Sequence, residues 1–256
     1  IARLVAGIQA GKPLAVGIDI VFTEADRYSP EALASHVPGL AGTALAGLPD
    51  PDQALARTLA AGPNVLAVMG QRNPVEGARR LARPLPVFTD DERLRNRLPA
   101  YAAALVSRPA LEQAAANEGF INAGPEKLFA NTEQGVLRRI PTVAMIAEQP
   151  LLSLPLEMVR LALDRDAIPR VELDSRGMSA IRLGDYRLPT QANGEVLLHF
   201  GKASSGYYLS AADVLSGKHP PETFAEHFVI IGFNSAGLQD RIITPLGESL
   251  PGVDVH

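Results

Sequence analysis

The sequence predicts an α/β fold: a single mixed, largely parallel sheet flanked by helices, with a loop-rich insertion. Three observations carry this reading. Residues 14–22, 64–70 and 227–232 are apolar almost without a break, as strands covered on both faces must be. Stretches with helical periodicity lie between or beside them. The 22 glycines and 21 prolines fall at intervals, as turns between short elements do, not in one linker block.

Taken in order, Ile1, Leu4, Val5 and Ile8 mark one face of a first helix, closed by Gly11-Lys12-Pro13. The first apolar strand, 14–22, follows at once. Asp50-Pro51-Asp52-Gln53 is a helix start, with Asp50 as N-cap, Pro51 at the first helical position and Gln53 as the capping-box partner. Ala54, Leu55, Thr58 and Leu59 then share a face, and Gly62-Pro63 ends the helix ahead of the strand at 64–70. Residues 14–70 thus form a βαβ crossover with an insertion near 28–48. The stretch 72–108 is rich in Arg and Pro and lacks periodicity, which marks the loop-rich insertion.

Residues 135–146 read as one bent strand or a strand pair. Ser153 caps a helix through Leu163, with Met158, Val159, Ala162 and Leu163 facing inward. A short strand at 195–200, a short helix at 208–217 closed by Gly217, and a helical turn opened by Pro220-Pro221 precede the last buried strand, 227–232. The strands at 14–21, 65–69 and 228–231 are expected to be adjacent in one sheet.

The chain has 256 residues, 46% hydrophobic and 20% charged, enough for one sizeable core. It is read as one domain, 1–256. Since it opens on Ile1 and stops just after a hydrophobic run, it is also read as a piece of a longer protein. A net charge of -4 gives no reason to expect a nucleic-acid partner. The absence of cysteine excludes disulfides, thiol nucleophiles and Cys-ligated metals. No run is apolar enough to span a membrane, and no signal peptide is visible.

Few residues suggest chemistry. The loop Gly232-Phe233-Asn234-Ser235-Ala236-Gly237 follows a strand, as phosphate loops do, but lacks the Lys-Ser/Thr pair and the G-x-G-x-x-G spacing. Ser235 nearly sits in a nucleophile elbow, with one residue too many before it, and His256 alone follows as a base. Ser204 and Ser205 lie between Gly201 and Gly206, in what reads as a turn. His36, His199, His219, His227 and His256 form no metal-binding spacing. Asp19, inside an apolar strand, must be paired or stand at the strand end, where α/β sheets place ligands. Arg138-Arg139 read as a solvated strand pair, and Asp240-Arg241 as local hydrogen-bonding groups.

Four segments resemble the C-terminal signature of CHASE2 sensor domains: Phe228-Val229-Ile230-Ile231-Gly232, then Gly237-Leu238-Gln239-Asp240, then Thr244-Pro245-Leu246-Gly247, then Pro251-Gly252-Val253-Asp254-Val255-His256. Gly17-Ile18-Asp19-Ile20-Val21-Phe22 is similar to the family's early strand, and Asp52-Gln53-Ala54-Leu55 to the helix before its second strand. Gly119-Phe120-Ile121-Asn122 and Gly135-Val136-Leu137-Arg138-Arg139 are similar to its middle segment, with Gln134 where that pattern usually has Asp. The resemblance implies an extracytoplasmic signal-input domain of a bacterial membrane receptor. Membrane helices would flank it, and the cytoplasmic output would be a nucleotide cyclase, histidine kinase, diguanylate cyclase or Ser/Thr kinase. It implies no defined ligand.

The expectations are therefore a sensor without catalysis, cofactor or metal, responding to a small-molecule or environmental signal, with a homodimer as a further expectation. An α/β hydrolase or nucleotide-binding enzyme, or a purely structural dimerisation module, are the alternatives. The two chain ends should lie on one side of the domain. The ligand contacts proposed are Asp19, Asn234 and Asp240 at the strand ends. They suit a neutral or cationic ligand unless Arg138 or Arg241 reaches the pocket.

Overall fold

The computed structural model describes residues 1–36, 45, 47–73, 79, 81, 83, 96–123, 136–201, 208–234 and 241–256. Helix α1 (Ala2–Gln9) buries Leu4, Val5 and Ile8, the stripe its sequence marks. Each such side chain contributes about 1.5–3 kcal/mol relative to exposure. Lys12, at φ 56°, turns the chain into β1 (Ala15–Ile18), all four residues of which are buried. The strand is shorter than its apolar run, because Ile20 and Phe22 leave the ladder and pack on the rim of the same core. After α2 (Pro30–His36), Asp50 caps α3 (Pro51–Ala60), accepting from the backbone N–H of Asp52 at 2.9 Å and of Gln53 at 3.4 Å. Helix α3 leads to β2 (Asn64–Gln71).

The insertion contributes β3 (Ala100–Tyr101) and β4 (Ala103–Leu105) among the described residues. Helix α4 (Pro109–Ala114) and β5 (Asn117–Phe120) follow. The central sheet runs β13–β1–β2, where β13 is Phe228–Ile231. β1 pairs in parallel with both neighbours, as the apolar runs predict. Beyond β1, β2 pairs in parallel with β5 along its first half and antiparallel with β4 at its end. The Asn122 side chain extends the β5 edge by one step: its Oδ1 accepts from Gly70 N–H at 2.7 Å, and its Nδ2 donates to Gly70 C=O at 3.0 Å.

Among its described residues, 136–146, the stretch 135–146 holds two strands in different sheets. β6 (Arg139–Pro141) pairs with β12 (Glu195–Leu197), and β7 (Val143–Ile146) pairs with β3 and with β8 (Gln149–Leu152). The β7–β8 turn holds Ala147 at φ 47° and Glu148 at φ 65°, the two-residue hairpin geometry with both φ positive. Helix α5 (Leu154–Leu163) lies hard against the sheet: a Cβ on Gly119 would stand 2.6 Å from Leu154 Cα, and one on Gly17 2.5 Å from Met158 Sδ.

Two expectations for α5 need correction. Ser153 holds the N-cap position but makes no side-chain cap; its N–H donates to Thr142 C=O instead. The inward side is broader than predicted and centred elsewhere, on Leu154, Leu156, Met158 and Leu161, because the helix is covered by two apolar clusters rather than one. Leu163, expected inside, is exposed. Two charged residues, Glu157 and Arg160, are buried in this helix and paired with each other at 2.6 and 2.8 Å.

Next comes an antiparallel meander that the sequence reading leaves unassigned: β9 (Arg170–Asp174), β10 (Gly177–Leu183) and β11 (Tyr186–Pro189). The expected short helix is α6 (Ala211–Leu215), with Gly217 past its end at φ 77°. The Pro220-Pro221 turn is a 3-10 helix at Pro221–Phe224. After β13 come the hairpin β14 (Arg241–Ile243) and β15 (Ser249–Pro251) and a last 3-10 turn, Gly252–Val255. Among the described residues, no helix is long and apolar enough to cross a membrane.

Candidate functional site

The carboxyl ends of β1 and β13 meet at Asp19. Its N–H donates to Ile231 C=O at 2.8 Å, which places its side chain just past the last ladder position. The closing turn of the chain lies over this point. A Cβ on Gly232 would stand 2.6 Å from Val253 Cγ2 and 3.5 Å from Asp19 Cβ, so only glycine lets the turn seat here. Val255 anchors the turn from another side, in a cluster with Leu137, Ile140 and Ile242. Tyr208 Oη donates to Asp254 Oδ2 at 2.6 Å and ties down a third. That bond to a carboxylate favours the protonated phenol and pushes Tyr208 up to about 12, with burial adding to it.

His256 completes the arrangement. Its Nε2 is 3.8 Å from Asp19 Oδ2, and the two side chains are 6% and 11% exposed. Burial pushes the imidazole down to about 4. The ring is therefore neutral at neutral pH, and 3.8 Å is too long for a hydrogen bond. The contact is a neutral ring packed beside a carboxylate, not an ion pair.

The residues proposed from sequence are distributed as follows. Asp19 is mostly covered by the closing turn. Asn234 is exposed, two residues past Gly232. Asp240 and Ser235 lie outside the described residues, as do Ser204 and Ser205. Arg241 is exposed and spends its guanidinium on Ser249, at 2.9 Å to Oγ and 2.5 Å to C=O. Arg138 is exposed on the approach to β6. His199 and His227 are exposed, and among the described residues no cluster of three or more His, Asp or Glu side chains could hold a metal. The part the sequence reading missed is His256 as the partner of Asp19. The signal for it was the histidine that closes the P-G-V-x-x-H segment.

A concave site lies elsewhere. A groove of about 1010 Å³ is lined by Arg72, Asn96, Tyr101, Met145, Glu148 and Glu195, among others. Its rim mixes one cation with two carboxylates around a tyrosine and a methionine, a surface for a polar ligand of small-molecule size. Neither Asp19 nor Asn234 lines it.

Architecture and site together define an α/β domain whose closing segment is locked over the carboxyl end of a parallel sheet. The model of the CHASE2 domain family matches residues 1–256, the whole chain, and the chain belongs to that family of extracytoplasmic sensory domains. No curated protein and no solved structure matches it.

Proposed function

We propose that this domain is the signal-input module of a bacterial membrane receptor. It is held to the cytoplasmic membrane by flanking helices and passes a small-molecule or environmental signal to a cytoplasmic cyclase or kinase. The observation that carries the reading is the family match over the full chain. The geometry supports it. His256 lies at the carboxyl end of β1. Helix α1 rises about 12 Å and β1 about 13 Å, so the tight turn between them directs Ile1 back toward the same end. That path favours both ends of the chain on one side, as tethering to one membrane requires.

For the ligand, the strand-end residues Asp19, Asn234 and Asp240 are one proposed location, with Asp19 acting as support for the closing turn and Asn234 as the exposed contact. The volume and mixed lining of the groove favour a second location. A thermal-shift screen of small polar molecules on the chain tests both, since a ligand selective for the folded state raises its stability. A hit abolished by Asn234→Ala assigns the strand ends, and one abolished by Glu195→Ala assigns the groove. The receptor reading is tested in the full-length parent: disturbing the closing turn with Gly232→Ala should change output without removing the protein from the membrane. Unaltered output would count against it.

A further inference from the structure

Helix α4 and strand β5 bring two glutamates together in the interior. Glu112 is 2% exposed and Glu118 is 1% exposed, and their carboxyls are within hydrogen-bonding reach of each other. Glu112 Oε2 meets Arg79 Nη1 at 2.9 Å. Among the described residues, its other oxygen, Oε1, has no donor, and neither has either oxygen of Glu118. Three buried carboxyl oxygens without an N–H partner are costly unless a proton stands between them.

Among the described residues, the cations that act on Glu118 are Arg83 and Arg79, and both have other partners. Arg79 also donates to Ser107 C=O. Arg83 donates to the carbonyls of Gln113, Ala115 and Ala116 at 2.5 to 3.1 Å, so it caps the end of α4 and leaves Glu118 without a direct contact. On α5, which packs on β5, Glu157 and Arg160 pair with each other, and Glu157 also accepts from Asn117 Nδ2. On α3, which packs on α4, Asp52 is paired with Arg108 and Arg57 is exposed. β2 and β8, the strands beside β5, carry no ionisable side chain.

We propose that Glu112 and Glu118 hold a single proton between them, and that its loss loosens the α4–β5 junction and makes the domain responsive to pH outside the cytoplasm. The carboxylic acid of Glu118 donates to the free oxygen of Glu112, while the other Glu112 oxygen keeps its Arg79 partner. When the proton leaves for solvent, a second buried negative charge faces the first. Relief requires water to enter or α4 to part from β5, which disturbs the Arg79 and Arg83 anchors together. Burial, then the charge of Glu112, hold Glu118 up to about 8, so the proton is present at neutral pH and leaves in mildly alkaline surroundings. The response to external pH rests on the sensory reading above; the shared proton does not.

The test compares the wild-type chain with Glu118→Gln, whose amide keeps a donor toward Glu112 but cannot ionise. The folded-state value is raised, so the stabilisation is complete below the unfolded value near 4.5 and is lost as pH rises through about 8. Between about pH 5 and pH 9 the wild-type Tm should fall relative to the variant by about 5 °C or more. Parallel curves would overturn the proposal. Infrared difference spectra of the wild type provide a second measurement if the variant does not fold. A protonated-carboxyl C=O band should persist at neutral pH and vanish near pH 8, and its absence at neutral pH would equally overturn it. If the proton is found but pH leaves the full-length receptor's output unchanged, the shared proton stands and the sensing role falls.

Discussion

The carboxylate of Asp19 and the imidazole of His256, 3.8 Å apart, join the first strand of the sheet to the last residue of the chain. Because burial keeps the imidazole neutral, the pair is a packing contact that acid alone can convert into a charged one. The consequence is a defined acid sensitivity. The folded-state value near 4 is depressed below the unfolded value near 6.5, so the unfolded chain takes up the proton first. Stability from this site is complete above about pH 6.5 and is lost as pH falls toward 4, by at most about 3 kcal/mol. Urea midpoints at several pH values should show that loss in the wild type and a smaller one in His256→Leu.

The closing turn should be sensitive to a single methyl group. Gly232→Ala places a Cβ against Val253 Cγ2 and is expected to cost about 1–3 kcal/mol. Val253→Ala in the same chain should return much of that loss. Strictly additive costs in a double-mutant cycle would mean that the two side chains do not compete for the same space.

The buried pair in α5 should behave asymmetrically. Arg160 donates to both oxygens of Glu157 and also to the carbonyls of Arg165 and Ala167. Removing one partner, as in Arg160→Ala, leaves a buried carboxylate and should cost about 3–5 kcal/mol. Replacing both by apolar residues, Glu157→Leu with Arg160→Met, should cost less than either truncation, as measured by chemical denaturation.

The β7–β8 turn should accept improvement. Ala147 and Glu148 both carry positive φ, a conformation that costs a non-glycine residue about 1–2 kcal/mol. Ala147→Asn with Glu148→Gly suits this turn and should raise the unfolding free energy by about 1 kcal/mol, read as a higher denaturation midpoint. A lower midpoint would show that Glu148, which lines the groove, contributes more as a carboxylate than it costs as backbone.

How much could be read from sequence follows from where each element gets its stability. Asp50-Pro51-Asp52-Gln53 is a local signal, satisfied by bonds within four residues, and it marks α3 to the residue. β1 and β2 announce themselves because both faces are covered; β13 is as apolar in sequence, but as the edge strand it buries only Ile231 and leaves Phe228 exposed. β5 does not announce itself: the sequence reading assigns no element to Asn117–Phe120, and it is a strand because β2 offers an edge and α5 approaches closely enough to require Gly119. The β9–β11 meander is hidden for another reason. One face is polar, with Glu172 bridging Arg182 and Arg187, and the alternation of Arg170-Val171-Glu172-Leu173-Asp174 spans only five residues, too short a signal to stand out from the turns around it. At the candidate site, Asp19 stands out as a charge in an apolar run, whereas its neighbour His256 is brought to it only by the tertiary fold.

The position of β13 sets the order in which the molecule can be completed. β1 is paired along one edge by residues 64–66, but its other edge is filled by residues 228–231, close to the end of the chain. Until that segment arrives, β1 exposes an unpaired parallel edge. Contacts so distant in sequence make for slow folding and a long-lived, association-prone intermediate. A chain delivered from its amino end would therefore hold the heart of its sheet open until residues 228–231 have been made, and truncations that remove β13 should aggregate rather than fold into a smaller domain.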